Sequence, residues 1–424
     1  VDPDACYAAL RRLGPIVPVV CGEDAGWGWL VLGSKEVLEV LGNDDGAWSP
    51  DSRRWHGDVP ARRRRPDRLL RWRPGIQSGH STSGEPAPLP SPQARALGEL
   101  APCTPDFIQQ LVDELIDECA PQGRTDLMGQ FAQRLPLLVM MGLLGMDERY
   151  AAGVGQSVPD LLERKPHSDQ ASPRLDELLL QLVEEKSQAP GRDLASWMIY
   201  YGREFSGQEL AHQARLLLLA VVEGCTALMG SVLFPLLPDP GGRQPDGQRT
   251  DVPQITGSVM RHSPATPELF GRVAARDTSL GGVFIREGDL VIVSLAAAGG
   301  DPVPSPPDLA VADAPGAGAG DAGATQDLMW LVVMTAVDRL AFRLRDLRLS
   351  MPARELLWKQ ALTVRYPQSL PVQFLPGQPC ITGDVRWLPD TDFTSAPPPL
   401  PPATTPTDPA SASWRSLWQG SRRK

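Results

Sequence analysis

The residues best suited to chemistry sit in one apolar stretch, Ala220-Val221-Val222-Glu223-Gly224-Cys225-Thr226. A carboxylate, a thiol and a hydroxyl this close together could relay protons to a reacting group. Spacing limits the idea. Glu223 and Cys225 stand two positions apart, whereas residues three or four apart share a helix face. His262 could add a further acid–base group. The run 314–324 reads Ala-Pro-Gly-Ala-Gly-Ala-Gly-Asp-Ala-Gly-Ala and holds no Cys, His, Met or Tyr. Its Gly/Ala alternation at 316–320 lacks the strand–turn–helix context and the Lys of a phosphate-binding loop. The six cysteines (Cys6, Cys21, Cys103, Cys119, Cys225 and Cys380) are scattered without metal-ligand spacing. Nothing in the chain has the pattern of a hydrolytic triad or a metal cluster.

The elements that must carry these residues are mostly helices. Apolar positions at helical spacing mark 4–13, 35–41, 174–187 and 328–340. Thr104-Pro105 reads as an N-cap with Pro in the first turn, ahead of Phe107, Leu111 and Leu115. Ser206-Gly-Gln-Glu209 opens the longest apolar helix, near 207–233, with a capping box. Strands are expected at 16–20, 27–32, 348–351 and 370–374, and a β hairpin near 283–295. The fold class is therefore mainly α with a small β region. Residues 302–324 read as a low-complexity loop. The Pro/Thr/Ala-rich end, 391–424, reads as a disordered tail after a single domain at 1–390.

Composition narrows the function classes. The chain has 424 residues, 42% of them hydrophobic, enough for a large core. Lys and Arg number 41 against 51 Asp and Glu, a net charge of −10, which argues against general nucleic-acid binding. The arginine-dense segment 53–73 reads as a solvated loop. Scattered thiols suit a reduced cytoplasm, and the apolar runs 135–146 and 216–222 are too short to span a bilayer.

Several blocks, in order, resemble bacterial cytochrome P450s. They include Arg276-Asp277, Leu280-Gly281-Gly282, Gly288-Asp289 and Val291–Ala298 followed by Asp301-Pro302. Further blocks are Leu344–Pro352, Leu356-Leu357-Trp358 and Ser369-Leu370-Pro371-Val372. The resemblance covers about residues 2–380 and implies a P450 fold with haem as the family cofactor. It also implies site roles, and this chain departs from them. An acid–Thr pair should lie over the iron. Glu223 keeps the acid, Gly224 or Cys225 takes the Thr position, and Thr226 comes late. The family's Glu-x-x-Arg becomes Ser258-Val259-Met260-Arg261, so Arg261 keeps its place without the Glu. Arg272 matches the strand-borne arginine that holds a haem propionate. Gly323 or Ala324 stands where the thiolate Cys belongs, and that thiolate's electron push is what favours O–O cleavage.

Those losses set the first functional expectation: a haem-free, cytoplasmic P450-like pseudoenzyme, similar to auxiliary proteins of actinobacteria. It would act as an auxiliary, scaffold or regulatory protein through protein–protein contacts. No cofactor, no metal, no nucleic acid and no membrane are expected; a protein partner is, with a homo-oligomer as an option. Trp414, Arg415, Leu417 and Trp418 would dock that partner, since Trp and Arg dominate binding hot spots. Two alternatives stand beside it. One is a P450-type monooxygenase binding haem through an atypical ligand. The other is a haem-independent enzyme using the ancestral pocket.

Overall fold

The computed structural model describes residues 3–20, 27–43, 46–49, 54–56, 91–162, 168–240, 255–256, 259, 268–298, 321–360 and 364–379. Helix α1 (Pro3–Arg11) leads into the antiparallel strands β1 (Ile16–Val20) and β2 (Trp27–Val31), with Ile16 opposite Val31. Helix α2 (Ser34–Gly42) ends at Asn43, whose φ is 49°; Asn is one of the few side chains that enter left-handed backbone routinely. Its Oδ1 accepts from the Trp48 amide at 2.8 Å and so starts β3 (Trp48–Ser49).

Helix α3 (Pro92–Leu100) opens with Ser91 Oγ accepting from the Ala94 amide and with Pro92 in the first turn. Helix α4 (Thr104–Cys119) follows. Thr104 does not cap it; its hydroxyl donates back to Leu100 O at 2.8 Å and joins the two helices. Next come β4 (Arg124–Asp126), a π-helical turn (Met128–Ala132), α5 (Arg134–Leu143), α6 (Glu148–Leu162), α7 (Ser168–Gln188) and α8 (Leu194–Tyr201). Asp193 caps α8 through the Ser196 amide, and Lys186 Nζ holds the same carboxylate at 2.6 Å.

Helix α9 (Gly207–Leu236) carries the expected capping box between Ser206 and Glu209 and runs three residues past the expected end. Its middle is apolar on every side, so it must be surrounded by protein. By length and composition it could cross a bilayer, contrary to the reading that no apolar run is long enough. Yet 83% of its most apolar window is buried inside the fold, which makes it the central core helix.

The β region follows: β5 (Glu268–Ala274), β6 (Thr278–Leu280), β7 (Val283–Ile285) and β8 (Leu290–Ser294), then the short α10 (Leu295–Ala298). The hairpin expected near 283–295 pairs β7 with β6. Gly281 and Gly282, at φ 52° and 80°, make the two-residue turn that matches strand twist. Strand β8 joins the larger sheet instead, in the order β1-β2-β8-β5-β3, parallel to β2 and antiparallel to β5. Its side chains alternate: Val291 and Val293 face one apolar cluster, Leu290 and Ile292 the other.

Helix α11 (Asp321–Arg343) begins inside the segment read as loop, so residues 321–324 are helical. Ala is the best helix former, and an Asp at the first position suits the positive end of the helix dipole. Strand β9 (Arg348–Leu349), the pair β10 (Trp358–Gln360) and β11 (Arg365–Pro367), and β12 (Pro371–Gln373) complete the described chain. The late strands expected at 348–351 and 370–374 thus appear in shortened form. The tail 391–424, with Trp414, Arg415, Leu417 and Trp418, lies outside the described residues, as do Arg261 and most of 53–73.

One helical core draws residues from Ala96 to Phe374. Helix α11 is pinned in it by charge. Arg339 Nη2 lies 2.6 Å from Asp113 Oδ2, Arg343 Nη1 lies 3.1 Å from Asp113 Oδ1, and Arg343 also pairs with Asp117. The Arg343 and Asp113 side chains are 7% and 12% exposed, so little water screens them. Removing one partner from a buried pair leaves a stranded charge and costs about 3–5 kcal/mol. Arg343 keeps Asp117 in Asp113→Ala and Arg339 reaches water, so that variant should lose less than this, about 1–3 kcal/mol, in urea denaturation; a loss within error of zero would refute the role given to this network.

Candidate functional site

The candidate site lies where α9 crosses α11. Val221, Val222, Glu223, Gly224, Cys225 and Thr226 are all buried in mid-α9. The first turns of α11 hold Gly323 and Ala324, the two positions matched to the missing thiolate. Ala324 is half-buried, and neither residue can donate to a metal.

The helices meet closely at Gly224. A Cβ built there would lie 2.5 Å from Met329 Cε, so the end of that flexible side chain would have to shift, and 3.1 Å from Met329 Sδ, a tight contact. The Met329 thioether therefore fills the notch that glycine leaves. One residue on, Cys225 Sγ points at Met329 O, 3.8 Å away. Burial pushes the Cys225 thiol far above the usual thiol range, so it stays neutral. The Thr226 hydroxyl lies 2.7 Å from Val222 O and 3.1 Å from Ala132 O. It ties α9 to the π-helical turn, which is a structural use of the group. Glu223 is buried on the same helix at 6% exposure.

Arg272 stands apart, on β5 of the five-stranded sheet, beside the irregularity between Leu269 and Arg272. It is 6% exposed, and its Nε and Nη1 meet no hydrogen-bond acceptor. Burial lowers its pKa from the ordinary arginine value. A buried guanidinium without a partner is costly, and the group is built to take a planar anion in two parallel hydrogen bonds.

The sequence-derived candidates thus divide. Gly224 and Cys225 meet Met329 at one crossing, and Ala324 lies at the start of the same helix as Met329. Glu223 and Thr226 share that helix. Arg272 is a separate orphaned cation. Sequence reasoning misses Met329, whose one outward sign is a long side chain at the position facing a glycine. Among the described residues no group of three or more His, Cys, Asp or Glu could hold a bare metal ion.

Two outcomes test this geometry. Replacing a buried unsatisfied group removes a penalty of about 1–3 kcal/mol, so Arg272→Met should stabilise the apoprotein by that amount in urea titration. A destabilised variant would mean that Arg272 has a protein partner. The second concerns pH. The Cys225 thiol ionises in the unfolded chain near its ordinary value of 9.0 but not in the fold. Above that pH the native state binds one proton more, so stability is full below it and falls as pH rises past it. The fall should be steeper in wild type than in Cys225→Ala by about 1.4 kcal/mol per pH unit; equal slopes would refute the burial.

No protein-family profile matches the chain. Relatives match along nearly its whole length. 6-Deoxyerythronolide B hydroxylase of Saccharopolyspora erythraea is 30% identical over 404 residues, covering 88% of this chain and 96% of its own. Cytochrome P450 105C1 of a Streptomyces species is 29% identical over 395 residues, covering 87% and 95%. Among solved structures, CYP154C4 from Streptomyces sp. W2061 superposes with a TM-score of 0.68 at 21% identity, over 89% of this chain and 96% of that one. A full-length relationship to a hydroxylase at this identity places the chain in the cytochrome P450 superfamily, which corrects the expectation that it takes no cofactor, haem being the cofactor of that family.

Proposed function

We propose that the protein is a P450-type monooxygenase that binds haem through an atypical axial ligand. The observation that carries this reading is Arg272. A guanidinium buried to 6% exposure, with Nε and Nη1 unpaired, is costly, and an anion at those two atoms would relieve the cost. A haem carboxylate is the anion that the family supplies at this strand. The relatives named as hydroxylases and P450s weigh the same way, and they favour this reading over that of an auxiliary pseudoenzyme. The partner-docking role given to Trp414–Trp418 draws no support from the described residues. The cytoplasm remains the proposed compartment.

Haem, when bound, supplies redox-active iron for oxygen chemistry. The chain's own residues do the rest. Arg272 would hold an acid group of the cofactor through Nε and Nη1. Val221 and Val222, both almost wholly buried, keep water from the α9 wall. The Thr226 hydroxyl is committed to Val222 O and Ala132 O, so Thr226 does not move protons. Glu223 is the one buried acid on this wall and is the candidate to hold a proton. With no thiolate in 314–324, the push that favours O–O cleavage is missing. Oxidation is therefore expected to be slower than in relatives with a cysteine ligand.

Expression in haem-sufficient cells tests the reading. About one haem per chain with a strong Soret band is expected. Arg272→Met should weaken hemin uptake about tenfold to a hundredfold, the loss of a charged hydrogen bond worth about 1.5–3 kcal/mol. A folded, colourless wild-type protein that takes up no hemin would overturn it.

A further inference from the structure

Helices α4 and α5 leave an apolar groove between them. Leu111 and Leu115 of α4 line one side, and Leu137, Leu138 and Met141 of α5 the other, around a cavity of about 220 Å³. Residues three and four apart share a helix face, so each set is one continuous stripe. Toward α6 the groove is lined by Gly155, where an added Cβ would meet nothing within 4 Å. Pockets for small-molecule ligands begin at about 300 Å³, so this space suits the large side chains of a peptide better than a separate ligand.

The rim is acidic. Helix α4 carries Asp106, Asp113, Glu114, Asp117 and Glu118 and no Lys or Arg. Arg339 and Arg343 answer Asp113 and Asp117, and Arg134 Nη1 lies 2.6 Å from Glu118 Oε2. Glu114, which lines the groove, accepts from Gln110 Nε2 at 3.0 Å. Among the described residues no cation pairs with it. Burial, with Glu118 and Asp117 adding to it, raises its pKa, and a cation beside it would relieve that strain on the charge.

The described chain ends beside this groove. Gly377 N donates to Ala120 O at 3.0 Å, one residue past the end of α4, and residue 379 is the last described. Trp414 follows Gly377 by 37 residues. Unstructured chain of that length spans about 30–36 Å root-mean-square, against about 14 Å of helix from Ala120 back to Leu111. The end of the chain complements the groove. Trp414, Leu417 and Trp418 have the spacing of one apolar helix face. Residues 409–424 hold Arg415, Arg422, Arg423 and Lys424 and no Asp or Glu.

We propose that the segment Trp414–Trp418 docks in the α4–α5 groove of its own chain, its apolar side chains on the leucine stripes and a basic side chain of 415–424 on Glu114. The contact is of the helix-in-groove kind and stands independently of the haem reading.

A fluorescently labelled peptide of residues 409–424, titrated with full-length proteins, tests this by anisotropy. Trp414→Ala/Trp418→Ala frees the groove and should bind the peptide. A tether gives an effective concentration of about 1 mM, so at a peptide affinity of about 0.1 mM wild type should bind about tenfold more weakly than that variant. Adding Glu114→Gln to the variant keeps side-chain shape and removes the charge, and should weaken the peptide about threefold to fivefold. Far-ultraviolet circular dichroism would verify that each protein is folded. Equal binding to wild type and the tryptophan variant would mean that the groove is not covered in cis, and the proposal fails. It fails equally if neither protein binds the peptide or if Glu114→Gln changes nothing. A wild-type dimer that becomes a monomer in the tryptophan variant, by light scattering, would seat the segment on a second copy and overturn docking within one chain.

Discussion

The ion pairs from Arg339 and Arg343 to Asp113 and Asp117 fix the seat of α11 in the helical core, on which the α9–α11 contact depends. Helix α11 buries apolar residues from Leu328 to Leu340 and serves two neighbours. On one side it meets α4 through these charges; on the other it meets α9 through Gly224, Cys225 and Met329. A shift of either contact by one turn would carry Met329 out of the notch. The charges thus set the register in which the sulfur-bearing crossing can form. Buried ion pairs can fix an arrangement as well as add stability, and these two arginines fix how α11 sits against α4.

The same economy of contacts explains why α9 can be apolar all round. Its start is secured by the capping box at Ser206 and Glu209, and its middle is anchored by the Thr226 hydroxyl against the π-helical turn. Arg272 is the exception to this quiet interior. It is a charge placed where nothing described answers it, and in a stable protein such a charge points to a missing anion.

Much of the fold was legible because its signals are local. The Ser206 capping box, the Gly281-Gly282 turn and the alternation in Val291–Ser294 each depend on a few adjacent residues. What was not legible depends on partners distant in sequence. Thr104 looked like a cap, and only the neighbouring carbonyl of Leu100 shows that it bonds backward. Strand β8 looked like half of a hairpin, and its true neighbours are β2 and β5. The composition of 321–324 suggested loop, while its Ala content also suits the start of a helix. The site divides in the same way. Arg272 and the Glu223–Thr226 stretch were found by motif position. Met329 was not, because a methionine in an apolar helix carries no signal until Gly224 is seen opposite it. The expectation of a cofactor-free chain rested on several lost motifs taken together, and the whole-length relationship to cytochrome P450s is what overturns it.

A crystal structure of the hemin-loaded protein would test the central claim most directly. Porphyrin bound in the fold, with a carboxylate within hydrogen-bond distance of Arg272 Nε or Nη1, is the expected result. Porphyrin bound elsewhere, or Arg272 paired with a protein carboxylate while haem is present, would contradict it.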